Sequence, residues 1–267
     1  MARSALLNVM VGAAEKAGRS LARDFGEVEN LQVSKKGPAD FVSRADTRAE
    51  EIVLAELSRA RPDYGFLGEE GTKVEPADGQ HRFIVDPLDG TSNFLHGIPL
   101  FAVSIALTRN DDLVAGVVLN PVSGELFVAE KGRGAFLNDR RLRVAARTDL
   151  SASVIATGVP HLGIGDHVRF LSELQPLMGK VGGIRRGGSA ALDLAWVAAG
   201  RYDGFWEHEL NAWDIAAGVI LVREAGGFCV NTDGSPDPLT NGSIIAGNEF
   251  IQRALLKNVK EAAQKLH

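Results

Sequence analysis

Apolar residues recur at helical spacing through the first 24 positions of the chain, and a second such stretch runs from Asp46 to Ala60. In the second stretch, acidic residues occupy the first turns and Ile52, Val53 and Leu57 fall on one face. Acidic side chains near an N-terminus stabilise a helix, and an apolar face lets the helix pack on a core. The pattern therefore predicts two helices. The polar, Gly- and Pro-containing stretch Ser34–Asp40 between them predicts a mobile loop.

From Phe101 to Leu142 the pattern changes to short apolar runs separated by turn signals. Such runs predict β-strands, here at 102–107, 113–119 and 125–130, and their short connections predict an antiparallel meander. An apolar run also leads into Glu69 and Glu70, and another ends at Asp86, so both are predicted to end strands. The first half of the chain is therefore expected to be rich in antiparallel sheet.

After about residue 145, predicted strands and helices alternate. The strands are predicted at 154–157, 181–185 and 202–207, and the helices at about 166–178, 190–199 and 214–225. This alternation is typical of an α/β arrangement. We find no internal repeat or linker, so the halves 1–145 and 146–267 are expected to share one extended core.

Composition restricts the class of protein. With 267 residues and 45% hydrophobic content the chain can bury a sizeable core, and no apolar run reaches the length of a membrane span. The single cysteine, Cys229, lies in an apolar run and is expected to be a buried strand residue. The net charge is −5 and the basic residues are dispersed, which argues against direct contact with nucleic acid. We expect a globular protein in the cytoplasm, with no membrane contact.

The stretch Asp86-Pro87-Leu88-Asp89-Gly90 places two carboxylates in one tight turn. Pro87 fixes φ and Gly90 lets the chain turn, so that Asp89 comes back toward Asp86. Two facing carboxylates repel unless a proton or a cation lies between them, and oxygen ligands favour Mg²⁺ or Mn²⁺ over zinc. Asp-Pro and Asp-Gly also occur often in ordinary solvated turns, so this stretch alone leaves both interpretations open.

Acids in two other segments favour the metal site. Glu69 and Glu70 precede the turn, and Asp214 starts a predicted helix, where it could cap the helix or bind a metal. Three segments that offer carboxylates are what a two-metal phosphoryl-transfer site requires. Because the chain is acidic overall, bound cations would also be needed to attract a phosphate ester.

Five stretches in order along the chain resemble the inositol monophosphatase family. They are Lys35 to Asp46, Gly68-Glu69-Glu70, Asp86 to Phe94, Gly187-Gly188-Ser189-Ala190 and Trp213 to Gly218. The resemblance implies a layered α-β-α-β-α sandwich, which is a mixed α/β fold. It also implies a Mg²⁺-dependent, lithium-sensitive phosphatase, with Mn²⁺ as a possible substitute, and a homodimer.

The resemblance also implies roles for individual acids. Glu69 and Asp86, with the carbonyl of Leu88, would bind a first metal, and Asp86, Asp89 and Asp214 a second. Glu69, with Glu70 nearby, would hold the waters of a third and weaker Mg²⁺. Thr91, hydrogen-bonded to Asp46, would act with Glu69 to orient and deprotonate the attacking water. The sequence agrees that no covalent intermediate is needed, because it has no Cys-His pair and no G-x-S-x-G stretch.

The remaining implied roles concern the substrate. Backbone amides of Gly90, Thr91 and Ser92 are expected to face the phosphate at the start of a short helix. The turn Gly188-Ser189-Ala190 and the carboxylate of Glu207 would contact the alcohol part of the substrate. Asp89 and Asp214 would also contact the substrate, besides binding metal. Lys35 would serve the mobile loop; Lys36 is the alternative, which the spacing to Pro38 disfavours.

The resemblance implies hydrolysis of myo-inositol monophosphate, a small-molecule phosphate monoester, and Glu207 and the compact length favour this substrate within the family. Four other esters remain open with the same chemistry: fructose 1,6-bisphosphate, 3′-phosphoadenosine 5′-phosphate, histidinol phosphate and NADP. A hypothesis of another class is that the chain is a regulatory binding partner of the transcription machinery, as some bacterial members of the family are.

Overall fold

The computed structural model describes residues 3–27, 38–161 and 165–265, with the backbone alone for 38–43. The α-helices of these residues are α1 (Ala5–Phe25), α2 (Pro38–Ala60), α3 (Thr91–Leu95), α4 (His167–Met178), α5 (Ala190–Ala198), α6 (Ala212–Glu224), α7 (Pro238–Asn241) and α8 (Glu249–Lys265). The strands are β1 (Gly65–Gly68), β2 (Lys73–Val74), β3 (His81–Asp89), β4 (Ala102–Arg109), β5 (Asp112–Asn120), β6 (Glu125–Glu130), β7 (Gly134–Leu137), β8 (Arg140–Arg141), β9 (Val154–Thr157), β10 (Gly183–Arg185), β11 (Gly204–Glu207), β12 (Phe228–Val230) and β13 (Ile244–Gly247).

The first eight strands form one sheet in the order β2-β1-β3-β4-β5-β6-β7-β8. Only the pair of β1 and β3 is parallel among the described strands of this sheet, and β3 to β8 run antiparallel as a meander. The predicted meander is therefore confirmed. The parallel pair brings the ends of β1 and β3 to the same edge of the sheet, where both predicted acidic segments lie.

The remaining strands form a second sheet in the order β10-β9-β11-β13-β12. Strands β10, β9 and β11 are parallel, and β13 runs antiparallel to both β11 and β12. The parallel strands alternate with α4 and α5, as the sequence of the second half predicted. The first sheet ends at Arg141 and the second begins at Val154, on either side of the boundary predicted near residue 145.

Helices and sheets stack in five layers, which confirms the predicted sandwich. One cluster of buried apolar residues joins α1 and α2 to one face of the first sheet. A second cluster fills the space between the two sheets, where α5 and α6 lie. A third joins α4 and α8 to the outer face of the second sheet. Each layer buries its apolar surface against the next, which is why two sheets and three sets of helices form one body.

Helix α6 lies in the middle layer and is apolar on nearly all sides. Two glycines let it approach its neighbours closely. A Cβ added at Gly116 on β5 would lie 2.5 Å from Ile220, and one added at Gly218 would lie 2.5 Å from Leu194 on α5. This close packing fixes the start of α6, and therefore Asp214, against both sheets.

Helix α2 begins at Pro38 and not at Asp46, so the predicted loop overlaps its first turn. The reason is that proline fits the first helical position, where its missing N–H costs nothing. Residues 28–37, with Lys35 and most of the predicted loop, lie outside the described residues. The sequence analysis also did not identify β13 or α8.

Strand β3 continues past Asp86 to Asp89, with an irregular register against β4 between these two residues. Cys229 is buried in β12, as expected. Among the described residues, no helix is long and apolar enough to cross a membrane.

Candidate active site

The ends of β1 and β3 bring the first two acidic segments together. Gly68 pairs with Val85 in the parallel ladder, and the N–H of Glu69 donates to the carbonyl of Val85 at 3.1 Å. Glu69 therefore lies beside Asp86, although the two are separated by seventeen positions in the sequence.

The turn after Asp86 is fixed by the backbone. Asp86 Oδ1 accepts the N–H of Leu88 at 2.9 Å, and both residues are almost completely buried. Gly90 has φ of +93°, and a Cβ at this position would lie 2.8 Å from the carbonyl oxygen of Leu100. Glycine is therefore required where the chain leaves β3 and starts α3, as the sequence predicted.

Asp89 is held from the second half of the chain. Its Oδ2 accepts the hydroxyl of Ser189 at 2.6 Å and the N–H of Ala191 at 2.7 Å, at the start of α5. The hydroxyl of Ser189 also accepts the N–H of Leu192 at 3.3 Å as the N-cap of this helix. Ser189, predicted to contact the substrate, therefore also positions a predicted metal ligand.

Asp214 lies in the first turn of α6. Its Oδ2 accepts the N–H of Asn211 at 2.6 Å in a reciprocal capping arrangement. The predicted capping role of Asp214 is thus confirmed.

The four acids influence one another. Burial first, and then the charges of Asp89 and Glu69, raise the pKa of Asp86 well above its usual range. Burial and the charge of Asp214 raise the pKa of Asp89 to about 7, although the hydrogen bond from Ser189 opposes the shift.

The pKa of Asp214 rises to about 6 because of burial. Burial also raises the pKa of Glu69, and the charge of Asp214 adds to this effect. Four carboxyl groups thus share a region in which no base among the described residues contributes to their pKa shifts.

This donor set fits a hard divalent cation. Every candidate side-chain ligand is a carboxylate, and Glu69 Oε2 is buried with no hydrogen-bond partner among the described residues. Within this part of the chain, however, no three His, Cys, Asp or Glu side chains are already arranged to hold a metal ion. The bonds from Leu88, Ser189 and Asn211 occupy one oxygen each of three of these acids.

Asp46 lies on α2 at the edge of this region. It is 4% exposed, and its Oδ1 also has no partner among the described residues. Burial, followed by the charges of Glu70 and Glu69, raises its pKa to about 9. Asp46 is therefore expected to carry a proton in the absence of a cation.

The expected hydrogen bond from Thr91 to Asp46 is wrong for the described residues. The hydroxyl of Thr91 donates instead to the carbonyl of Leu88 at 3.0 Å. The reason is local, since the turn at Gly90 starts α3 and brings the Thr91 side chain back over the carbonyl three residues earlier. Thr91 and Ser92 are both exposed at the start of this helix.

Glu70 is exposed, and its Oε2 accepts the hydroxyl of Thr47 at 3.3 Å. Its backbone N–H donates at 2.9 Å to Glu50, a buried acid that the sequence analysis missed. Glu50 follows Asp46 by one helical turn, so an acid on the apolar face of α2 was a signal that could have identified it. Glu50 also accepts the N–H of Thr72 and thereby shapes the loop after β1.

On the substrate side, Gly188 has φ of +85° and directly precedes Ser189 and Ala190. The side-chain amide of Asn93 donates to the carbonyl of Gly187 at 2.9 Å and to that of Leu100 at 2.7 Å. Asn93 therefore connects α3 to the turn before α5. The sequence analysis gave it no role, because this contact depends on how the two halves pack.

Glu207 ends β11 and faces this turn. Burial, followed by the charge of Asp89, raises its pKa to about 8. A Cβ at Gly158 would overlap its carboxylate, so glycine is required next to it. Asp193 on α5 was also missed; its pKa is raised well above the usual range by burial and then by the charge of Glu207.

Comparisons with known proteins agree with this arrangement. Residues 2–266 match the model of the inositol monophosphatase family. An inositol-1-monophosphatase of Mesorhizobium japonicum is 68% identical over 98% of each chain, and a Nus factor SuhB of Pseudomonas aeruginosa is 43% identical over 96% of each. The crystal structure of the extragenic suppressor protein suhB from Bartonella henselae has a TM-score of 0.90 and 61% identity, covering 97% of this chain and 99% of that one.

Proposed function

The chain belongs to the inositol monophosphatase family of metal-dependent phosphoric monoester hydrolases, and we propose that it hydrolyses myo-inositol monophosphate to inositol and phosphate. The observation that carries the proposal is the group formed by buried Asp86 and half-buried Glu69, Asp89 and Asp214, all four of which have raised pKa values. We refer to these four residues as the acidic cluster. Its charge attracts cations and, only through them, a phosphate ester.

The acidic cluster would hold Mg²⁺, for which Mn²⁺ could substitute. Glu69, Asp86 and the carbonyl of Leu88 would hold one ion, and Asp86, Asp89 and Asp214 would hold a second. Glu70 is exposed and lies further out, which fits a role in a third and weaker site. Bound divalent ions supply Lewis acidity, polarising the phosphoryl oxygens and lowering the pKa of a water.

Two residues of the chain act on the attacking water. Glu69 Oε2 is buried and has no partner among the described residues, so it can accept the proton that the water loses. The hydroxyl of Thr91 uses its single hydrogen on the carbonyl of Leu88, so its oxygen remains an acceptor that can orient the water. With cations bound, Asp46 would be ionised and would support this pair from α2 through its charge, and not through a hydrogen bond to Thr91.

The phosphate and the alcohol are bound by different parts of the site. Backbone amides of Gly90, Thr91 and Ser92 at the start of α3 receive the phosphate, which glycine allows to approach closely. Gly188, Ser189 and Ala190 form the turn that contacts the alcohol. Glu207 accepts hydrogen bonds from its hydroxyls.

The test is a comparison of kcat/KM for inositol 1-phosphate with that for fructose 1,6-bisphosphate, 3′-phosphoadenosine 5′-phosphate, histidinol phosphate and NADP. We expect inositol 1-phosphate to be preferred, in the presence of Mg²⁺ and with inhibition by Li⁺. A hundredfold preference for any of the other four esters would overturn the proposed substrate but leave the phosphatase chemistry intact.

A second function is favoured by the relative named a Nus factor. The chain would then also act as a regulatory partner of the transcription machinery by protein contact. A variant without turnover, such as Asp89→Asn, separates the two functions. If it restores growth or transcription in a strain that lacks the gene, the binding function is supported; if it fails while the active protein succeeds, that function is rejected.

We also propose that the chain is a homodimer in the cytoplasm. The family resemblance supports the dimer, and the single buried cysteine is typical of a reducing compartment. Light scattering after size-exclusion chromatography should give twice the mass of 28.5 kDa. Cell fractionation tests the location.

A further inference from the structure

A cavity of about 210 Å³ adjoins Glu207. Its wall includes Gly158, Arg186, Glu207 and His208. Burial, followed by the charge of Asp89, raises the pKa of Glu207, and the same residue lines the cavity. The cavity therefore adjoins the residue that is proposed to contact the alcohol part of the substrate.

A buried acid lies behind this cavity. Glu173 on α4 is completely buried, and its carboxylate accepts three side-chain donors. They are Arg169 Nε at 3.1 Å, Trp206 Nε1 at 3.2 Å and His208 Nε2 at 2.9 and 3.0 Å from the two oxygens. Three donors hold this carboxylate in one position, so Glu173 has no capacity to spare for a ligand.

The contact with Glu173 determines how His208 can act. A carboxylate only accepts hydrogen bonds, so Nε2 must carry a hydrogen. In the neutral ring, Nδ1 is then an acceptor. This atom is buried and has no partner among the described residues, and His208 lines the cavity. A buried ring nitrogen without a partner is costly unless a bound group satisfies it.

The end of β11 and the turn after it fix the positions of Glu207 and His208. Glu207 is the last residue of β11 and His208 follows it, while Trp206, directly before them, is fully buried and pairs with Ile245 of β13. Glu209, directly after them, has φ of +59°, a strained conformation for a residue other than glycine. The chain thus turns sharply after His208, and this turn leads into the start of α6 and Asp214.

We propose that His208, positioned by Glu173, is a specificity-determining residue that accepts a hydrogen bond from a hydroxyl of a polyol phosphate. This inference rests on the proposed function and extends it. Glu207 and His208 together contact the alcohol part of the substrate from adjacent positions, and the cavity admits a hydroxyl that points away from the phosphate. Glu173 is a positioning residue that acts only through the imidazole.

Two substitutions at His208 distinguish the contribution of Nδ1 from that of Nε2. His208→Gln places an amide near the position of Nε2, which keeps the contact with Glu173 and removes Nδ1. His208→Asn places its amide near Nδ1 and gives up the contact with Glu173. One hydrogen bond is worth about 0.5 to 1.5 kcal/mol, so we expect KM for inositol 1-phosphate to rise about three- to tenfold in His208→Gln with little change in kcat. His208→Asn should restore part of this loss.

Inhibition by inorganic phosphate provides the control, because phosphate has no alcohol part. Its Ki should stay within twofold of the wild-type value in both His208 variants and in Glu173→Gln. Glu173→Gln should raise KM for inositol 1-phosphate in the same direction as His208→Gln.

Two results overturn the inference: an unchanged KM in His208→Gln, or a parallel rise in KM and in the Ki of phosphate. A wild-type protein that does not hydrolyse inositol 1-phosphate would instead reject the proposed function.

Discussion

Buried carboxylates occur in two kinds of surroundings in this protein. Asp203 is 1% exposed, and it accepts Arg147 Nε at 2.6 Å and the N–H of Val154 at 2.8 Å. Glu173 is likewise surrounded by donors. Within the described part of the chain, the acidic cluster accepts hydrogen bonds from neutral donors alone, and its members raise one another's pKa values.

Acids of the first kind stabilise the fold through their hydrogen-bond donors. Acids of the second kind repel one another and need a cation to neutralise their charge. An acid paired with a base and backbone donors lowers the free energy of the folded state once it has been desolvated. Acids that face one another raise this free energy until a proton or a metal ion lies between them. We therefore expect substitutions in the two sets to have opposite effects on stability and on activity.

The largest expected effect is that of Asp86→Asn. Asp86 is a proposed ligand of both metal ions, so kcat/KM for inositol 1-phosphate should fall by more than about a thousandfold, or about 4 kcal/mol. The metal-free variant should be at least as stable as the wild type at pH 8, because one like charge has been removed. Steady-state kinetics and urea unfolding in EDTA measure the two quantities. Activity within tenfold of wild type at ordinary Mg²⁺ would contradict the assignment.

The next effect is the pH dependence of the metal-free protein. The folded-state pKa of Asp89 is raised from 3.8 to about 7, so between these values the folded chain keeps a proton that the unfolded chain has lost. The free energy of unfolding should therefore fall as pH rises through this window, by up to about 1.4 kcal/mol per pH unit for each such group. Urea unfolding in EDTA at several pH values measures the slope. Mutual repulsion among the acids of the acidic cluster would be contradicted by a free energy of unfolding that rises from pH 5 to pH 7. It would also be contradicted if the free energy of unfolding of Asp86→Asn fell as steeply with pH as that of the wild type.

A smaller effect, of opposite sign, is expected for Asp203→Asn. The substitution weakens the ion pair with Arg147, whose side chain is 47% exposed, so water limits the loss to about 1 to 3 kcal/mol. Activity per folded molecule should stay within twofold of wild type. Urea unfolding and kinetics on the same sample test both statements. A large loss of turnover without loss of stability would remove the distinction between the two sets of acids.

The smallest effect is expected for Glu70→Gln. Glu70 is exposed, and its Oε2 has only a weak contact with Thr47, so stability should change by less than about 0.5 kcal/mol. If it serves only an outer and weaker metal ion, the Mg²⁺ concentration for half-maximal activity should rise, with a loss in kcat of tenfold or less. A loss as large as that of Asp86→Asn would place Glu70 inside the main site.

Much of the fold was predictable because the spacing of apolar residues that marks a strand or a helix is visible within a short stretch of sequence. The alternation in β4, β5 and β6 and the apolar face of α1 were enough to locate these elements. The start of α2 was not, because Pro38 is as typical of a loop as of a first helical turn.

The site was predictable only in part. Gly90 and Asp89 follow from turn chemistry, and the start of α6 from an acid before an apolar run. The partner of Thr91 was predicted incorrectly, because the nearest acceptor is set by the turn itself. The contact between Glu173 on α4 and His208, directly after β11, joins residues 35 positions apart, and sequence spacing carries no signal for it.

Calorimetric titration of Mg²⁺ into the metal-stripped protein tests the central claim most directly, namely that the acidic cluster binds divalent cations. We predict binding to the wild type and to Asp203→Asn, with about 2.7 kcal/mol of added stability at a hundredfold excess over Kd, and no such binding to Asp86→Asn. Equal binding by Asp86→Asn and the wild type, or no binding by the wild type at millimolar Mg²⁺, would contradict it.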